Sequence, residues 1–166
     1  MSKSEVDQVT DETVGKGGLL VRLYFDMQSG KEEELQPLMV DMINNKLLKS
    51  PGVVYCFGAI DEPIKREEGY STSAIVTALF KDIGALINIT FNFAPAGMEV
   101  LKPEKEFKIK PAALQAVLLD ISNISVAYSH YILSKVLNKE DYDKVLKDMK
   151  NREELGKKLI NKKGSA

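Results

Sequence analysis

The sequence predicts an α+β protein: a ferredoxin-like βαββαβ sandwich followed by two additional C-terminal helices, the first of which covers the second face of the sheet. Three observations lead there. Between Leu19 and Leu101, segments of strand and helix periodicity follow one another in the order strand, helix, strand, strand, helix, strand. Both faces of the second and third strands are apolar, whereas a sheet with one wet face alternates cleanly. Finally, the segment from Pro111 to about Leu137 lacks the charged outer face of a surface helix. A chain of 166 residues is long enough to bury such a core without disulfides or a structural metal.

Each element has its own signal. Met1 to Gly18 is polar and ends in "GKGG", so residues 1–18 are expected to form a disordered tail. In "LLVRLYFDM", Leu19, Val21, Leu23 and Phe25 alternate with Leu20, Arg22, Tyr24 and Asp26, and the first set is the inner face of a strand. After a turn at Ser29 and Gly30, three glutamates suit a helix N-terminus, and Leu35, Leu38, Met39, Met42, Ile43 and Leu47 recur at helical spacing. Pro37 is an anomaly there, tolerable in the first turn and a half or marking a later start. Ser50 to Gly52 ends the helix, and "VVYCFGAI" is a strand with little polar face. The charged stretch Asp61 to Gly69 is an exposed hairpin connection to the third strand, "YSTSAIVTALF". "KDIGALINITFNF" then places Ile83, Leu86, Ile87, Thr90 and Phe93 on one helical face. In "NFAPAGMEVLKP", Pro95 stops that helix and biases Ala94 toward an extended backbone. Gly97 permits a bend, and Met98 to Leu101 form the fourth strand.

From Ala112 to Ser134 the ionisable side chains are Asp120 and, near neutrality, His130. A stripe of Leu114, Val117, Leu118, Ile121, Ile124, Tyr128, Tyr131 and Ile132 is interleaved with Gln, Ser and Asn, too polar for a membrane span and too apolar for water. The expected cover is mutual: this helix shields the second sheet face, in its own chain or in a symmetry mate. On the second strand that means Val53, Tyr55, Phe57 and Ala59 on one side, with Val54, Cys56 and Ile60 on the other. The last segment begins at an Asn138 cap, carries acids early and lysines late, and forms a charged exposed helix before a disordered "GSA" end. The expected organisation is thus residues 1–18 as tail, 19–137 as the domain with its covering helix, and 138–166 as charged helix and tail.

Composition bounds the chemistry. With 23 basic against 24 acidic residues, no global attraction draws the chain to nucleic acid or an anionic membrane. The single cysteine, Cys56, reads as a small buried hydrophobe, and the single histidine, His130, has no carboxylate one turn away. No catalytic residue, cofactor or metal site is assigned, and "GKGG" precedes a strand rather than opening a phosphate-binding helix. Nor does the third strand carry the central aromatics on which a ferredoxin-like sheet stacks bases. The N-terminal residues contain no apolar run, so a cytoplasmic location is expected.

The region from Leu19 to about Ile121 resembles the C-terminal extension of WYL-type bacterial transcription regulators. An aromatic, a proline, a short gap and a "VEVLEP"-like strand close that extension; the matching residues here are Phe93, Pro95, Glu99, Val100, Leu101 and Pro103. The resemblance implies a regulatory or assembly module and no catalytic residue. The reading that follows is a non-enzymatic protein that self-associates, with a dimer favoured, and binds a protein partner or small effector. Its expected pocket lies between the long helix and the sheet, near Tyr24, Tyr55, Phe57, Glu99, Tyr128 and His130. The alternatives are a small enzyme of the dimeric α+β barrel type and an RNA-binding ferredoxin-like module.

Overall fold

The computed structural model describes residues 4–163, with the backbone alone for residues 152, 153 and 155–163. The expected disordered end at 164–166 lies outside the described residues. Two compact units make up the chain, residues 1–118 and 119–166, and each is described by itself.

In chain order the elements are α1 (Glu5–Gly15), β1 (Leu19–Ser29), α2 (Glu32–Asp41) with a π-helical continuation (Met42–Leu47), β2 (Val53–Ile60), β3 (Ile64–Arg66), β4 (Gly69–Phe80), α3 (Ile83–Phe93), β5 (Gly97–Lys102), α4 (Pro111–Val136) and α5 (Lys139–Lys163). The protein is α+β with a five-stranded antiparallel sheet, in which the strands lie in the order β2, β4, β1, β5 and the short β3 pairs with β4. The expected exposed connection between the second and third strands therefore contains a strand of its own. Gly69, at φ +130, makes the tight return that this small hairpin requires.

Period-two alternation builds the core. Leu19, Val21, Leu23 and Phe25 of β1 face the same side as Ala74, Val76, Ala78 and Phe80 of β4, and all are buried against Met39, Ile43, Leu47, Leu86 and Ile89 of the helices. Burial of each large side chain in this layer contributes about 1.5–3 kcal/mol. In α2 and its continuation the fully or nearly buried positions are Leu35, Met39, Ile43 and Leu47, a strict four-residue spacing. Such a spacing drifts about 40° per step on an α-helix. The wider π turn, closed by the Leu48 amide on the Ile43 carbonyl at 2.9 Å, brings Leu47 back over the core. Pro37 sits inside α2 without breaking it.

Two expectations are corrected. Residues 5–15 are a helix, not a loose tail: Ser4 caps it, its hydroxyl accepting from the Asp7 amide while the Asp7 carboxylate accepts from the Ser4 amide. Ala94 is left-handed, at φ 43, and closes α3 through its amide on the Thr90 carbonyl at 3.0 Å, so the bend falls there rather than at Gly97. The second sheet face is the one opposite α2 and α3. Phe57 and Ile75 on that face stay exposed, and Val117 is the one buried residue of α4. By length and composition α4 is apolar enough to cross a membrane.

In the second unit, α4 turns back into α5 at Asn138, whose side-chain oxygen accepts from the Asp141 amide at 3.0 Å. Leu133 and Leu137 are half-buried, as are Tyr142, Val145, Leu146 and Met149, the narrow apolar stripe expected of the last helix.

Candidate functional site: the outer sheet face

Antiparallel register carries one residue of each strand into every row across the sheet. On the face opposite α2 and α3 the first row is Tyr55, Leu79, Leu20 and Lys102, reading from β2 to β5. The second is Phe57, Thr77, Arg22 and Glu99, and the third is Ala59, Ile75, Tyr24 and Gly97. These rows are the outer face.

Helix α1 closes the first row. Thr10 Oγ1 lies 2.7 Å from the Tyr55 hydroxyl, and Lys102 Nζ donates to Asp11 Oδ1 at 3.0 Å, so one helical turn holds both margins of the row. Leu79 between them is fully buried. The Asp11 carboxylate, which accepts from the Lys102 ammonium, raises the lysine's pKa above its ordinary value.

The second and third rows remain open. Phe57 is 59% exposed and Ile75 45% exposed. The Phe57 ring stacks on Tyr55, with centroids 6.0 Å apart and planes 23° from parallel, which ties the open aromatic to the one held by α1. Across the same row Arg22 Nη1 donates to Glu99 Oε2 at 2.9 Å. The Tyr24 hydroxyl first, and then Glu99, raise the guanidinium's pKa above its ordinary value. Gly97 faces the Tyr24 ring, and a Cβ there would make ordinary contact with it, 3.5 Å from Tyr24 Cδ2. The result is a shelf with an aromatic and aliphatic half on β2 and β4 and an ion-paired, phenolic half on β1 and β5. Such a surface offers shape and amphipathic contact.

Of the six residues expected in a pocket, the sheet brings four together on this face: Tyr24, Tyr55, Phe57 and Glu99. Tyr128 and His130 belong to the second unit. There His130 is half-buried with its ring edge-on to Tyr142, centroids 6.5 Å apart at 85°, while Tyr128 is 66% exposed. Ile75, Arg22 and Thr10 complete the arrangement and were not among the expected site residues. The alternation of β4 against β1 places Ile75 beside Tyr24, but its partner row is visible only once register is known.

Two larger hollows flank the first unit's sheet rather than its aromatic face. One, of about 1060 Å³, lies between the end of α1 and the segment after β5, beside Lys16, Lys102, Lys105, Phe107, Lys108 and Lys110. Its "GKGG" amides are already engaged: Lys16 N–H donates to Glu12 and Thr13, Gly17 N–H to Val14 and Gly18 N–H to Thr13. They form a helix C-terminus, which leaves no amide cradle for a phosphate. The other, about 880 Å³, lies at the opposite end beside Asp26, Asp61, Glu62, Glu67 and Glu68. Among the described residues no group of three or more His, Cys, Asp or Glu side chains is placed to hold a metal ion. Cys56 is half-buried, and its burial raises the thiol's pKa.

A family model described as the MJ0538 family matches residues 20–159, which covers the sheet, both core helices and most of the α4 and α5 hairpin. Neither the curated proteins nor the solved structures compared with the chain include a match.

Proposed function

For this chain, which belongs to the MJ0538 family, we propose the role of a non-enzymatic regulatory or assembly module that self-associates and receives a protein partner or small effector on its outer sheet face. The observation that carries the proposal is the open pair of rows, in which Phe57 and Ile75 present apolar surface beside the fixed Arg22 and Glu99 pair. The strand order β2, β4, β1, β5, with β1 and β4 antiparallel at the centre, supports a ferredoxin-like arrangement once β3 is set aside as an ornament of the connection. The likeness of the Phe93 to Pro103 stretch to the extension of WYL-type regulators points to the same class of role.

The test is native mass spectrometry of gently purified protein, beside a Phe57→Ser, Ile75→Ser double variant. The expected result is a mass of two or more chains, with any co-purifying molecule or partner lost in the variant. A single-chain mass at every concentration, with nothing retained by either protein, would contradict the proposal.

A further inference from the structure

The two edges of the sheet are unlike. At one, β5 is interrupted by a register shift opposite Leu20 and Val21, carries Glu99 and Lys102, and runs into Pro103. Charges, broken register and proline are the means by which edge strands avoid pairing with other chains. At the other, β2 is free of charge and of proline from Val53 to Ile60, its one register shift lies at the start, between Val53 and Tyr55, and among the described residues it pairs with β4 alone. Its surroundings are apolar and open to water: Phe57 is 59% exposed, Val54 43% and Val40, across a small hollow from Cys56 and Ile60, 42%. The Asp61 amide donates to the Ser73 carbonyl at 2.8 Å, in the same register as Ala59 with Ile75 and Phe57 with Thr77. Alternation along an antiparallel ladder therefore turns the amides and carbonyls of Phe57 and Ala59 toward β4, and those of Cys56, Gly58 and Ile60 toward the open edge.

We infer that the β2 edge pairs with the β2 edge of a second copy, antiparallel, about a two-fold axis at Phe57 that joins two five-stranded sheets into one. The inference rests on the self-association proposed above and names the surface that performs it. The backbone argues for a strand as the occupant, because a row of outward amides and carbonyls is satisfied by another extended chain. Register and charge argue for a second copy. With Phe57 opposite Phe57 of the second copy, the outward groups of Cys56 meet those of Gly58 on either side of the axis, and Ile60 meets Val54. The overlap spans residues 54–60, and no charged side chain enters it. Phe57 falls at the closely spaced, non-hydrogen-bonded position, with Cα atoms about 4.5 Å apart, where cross-strand aromatic pairs stabilise a ladder. A step in either direction loses contact. Centring on Gly58 shortens the overlap within β2 to residues 56–60. Centring on Cys56 sets Ile60 against Gly52, whose carbonyl already accepts from the Lys81 amide at 2.9 Å. Because the pairing uses the β2 edge of both copies, association closes at two chains.

The test uses the full chain with its single cysteine replaced, Cys56→Ser, and one new cysteine at Phe57 or at Ala59, both exposed positions. Mild oxidation should join two Phe57→Cys chains through a disulfide, since facing Cα atoms about 4.5 Å apart lie within its reach. It should leave Ala59→Cys chains unjoined, because each new thiol is then four residues, about 13 Å, from its mate along the ladder. In the otherwise native chain Phe57→Lys, checked for an unchanged circular dichroism spectrum, should be monomeric, since it sets two ammonium groups against each other. Ile75→Ser, altered on the sheet face but away from the edge, should stay dimeric. Equal joining at both cysteine positions, or a Phe57→Lys chain that still dimerises, would overturn the edge pair. So would an oligomer lost in Ile75→Ser but kept in Phe57→Lys, a result that leaves self-association itself standing on the sheet face. A parent chain that is monomeric at every concentration would remove both. Slowed exchange of the Cys56, Gly58 and Ile60 amides in a single chain bound to another polypeptide would assign the edge to a foreign strand instead.

Discussion

At the scale of the residue, the outer face depends on how closely its strands approach. Gly58 lies on β2 opposite Val76, and a Cβ there would meet the Ile75 carbonyl oxygen at 2.1 Å and Val76 Cα at 2.9 Å. Both are backbone atoms, so relief needs the strands to part. Gly58→Ala is therefore expected to lower stability by about 1–3 kcal/mol, read as a shift of the denaturant midpoint. It should also loosen Phe57, its neighbour on the open row. An unchanged midpoint would show that the strand pair yields freely. This tight spot was not legible in "VVYCFGAI", where the glycine reads as one small residue in an apolar strand. Close approach is a property of the pair, and only β4 reveals it.

At the scale of the element, α1 is the part of the fold that composition concealed. Residues 1–18 are polar, and polarity argues for disorder, yet Ser4 and Asp7 stand at capping-box spacing ahead of Val6, Thr10 and Val14. Composition alone carried the expectation of disorder, and this capping spacing was not weighed. Docking of α1 rests on Thr10 with Tyr55 and on Asp11 with Lys102. Tyr55→Phe should weaken that docking by about 0.5–1.5 kcal/mol, seen as faster amide exchange confined to residues 5–15, and exchange that is unchanged or faster everywhere would contradict the assignment. The lysine pair adds a pH signature. Because the folded pKa of Lys102 is raised above its ordinary 10.5, its contribution is complete at neutral pH and fades only as pH climbs through that raised value. The regular elements of the core were legible for the opposite reason: in β1, β4, α3 and α2 the periodicity is set by the same buried side chains that form the core. Ala94 was misjudged because a proline neighbour favours extended backbone, whereas the need to close α3 prevails here.

At the scale of the whole molecule, two apolar surfaces were expected to cover one another, and each has exposed members: Phe57 and Ile75 on the sheet, and Leu118, Tyr128 and Ile132 on α4. The sequence showed that both need cover, because periodicity reports which side chains are apolar. It could not say what covers them, because pairing between surfaces depends on register and symmetry that no local pattern encodes. Register places Tyr24, Tyr55, Phe57 and Glu99 on one sheet face, while Tyr128 and His130 lie in the second unit with α5. The most direct test of the account is sedimentation velocity of the native chain over a hundredfold dilution. The account predicts a species of twice the chain mass that dissociates only at the dilute end. A single sedimenting species of one chain mass at every concentration would contradict it.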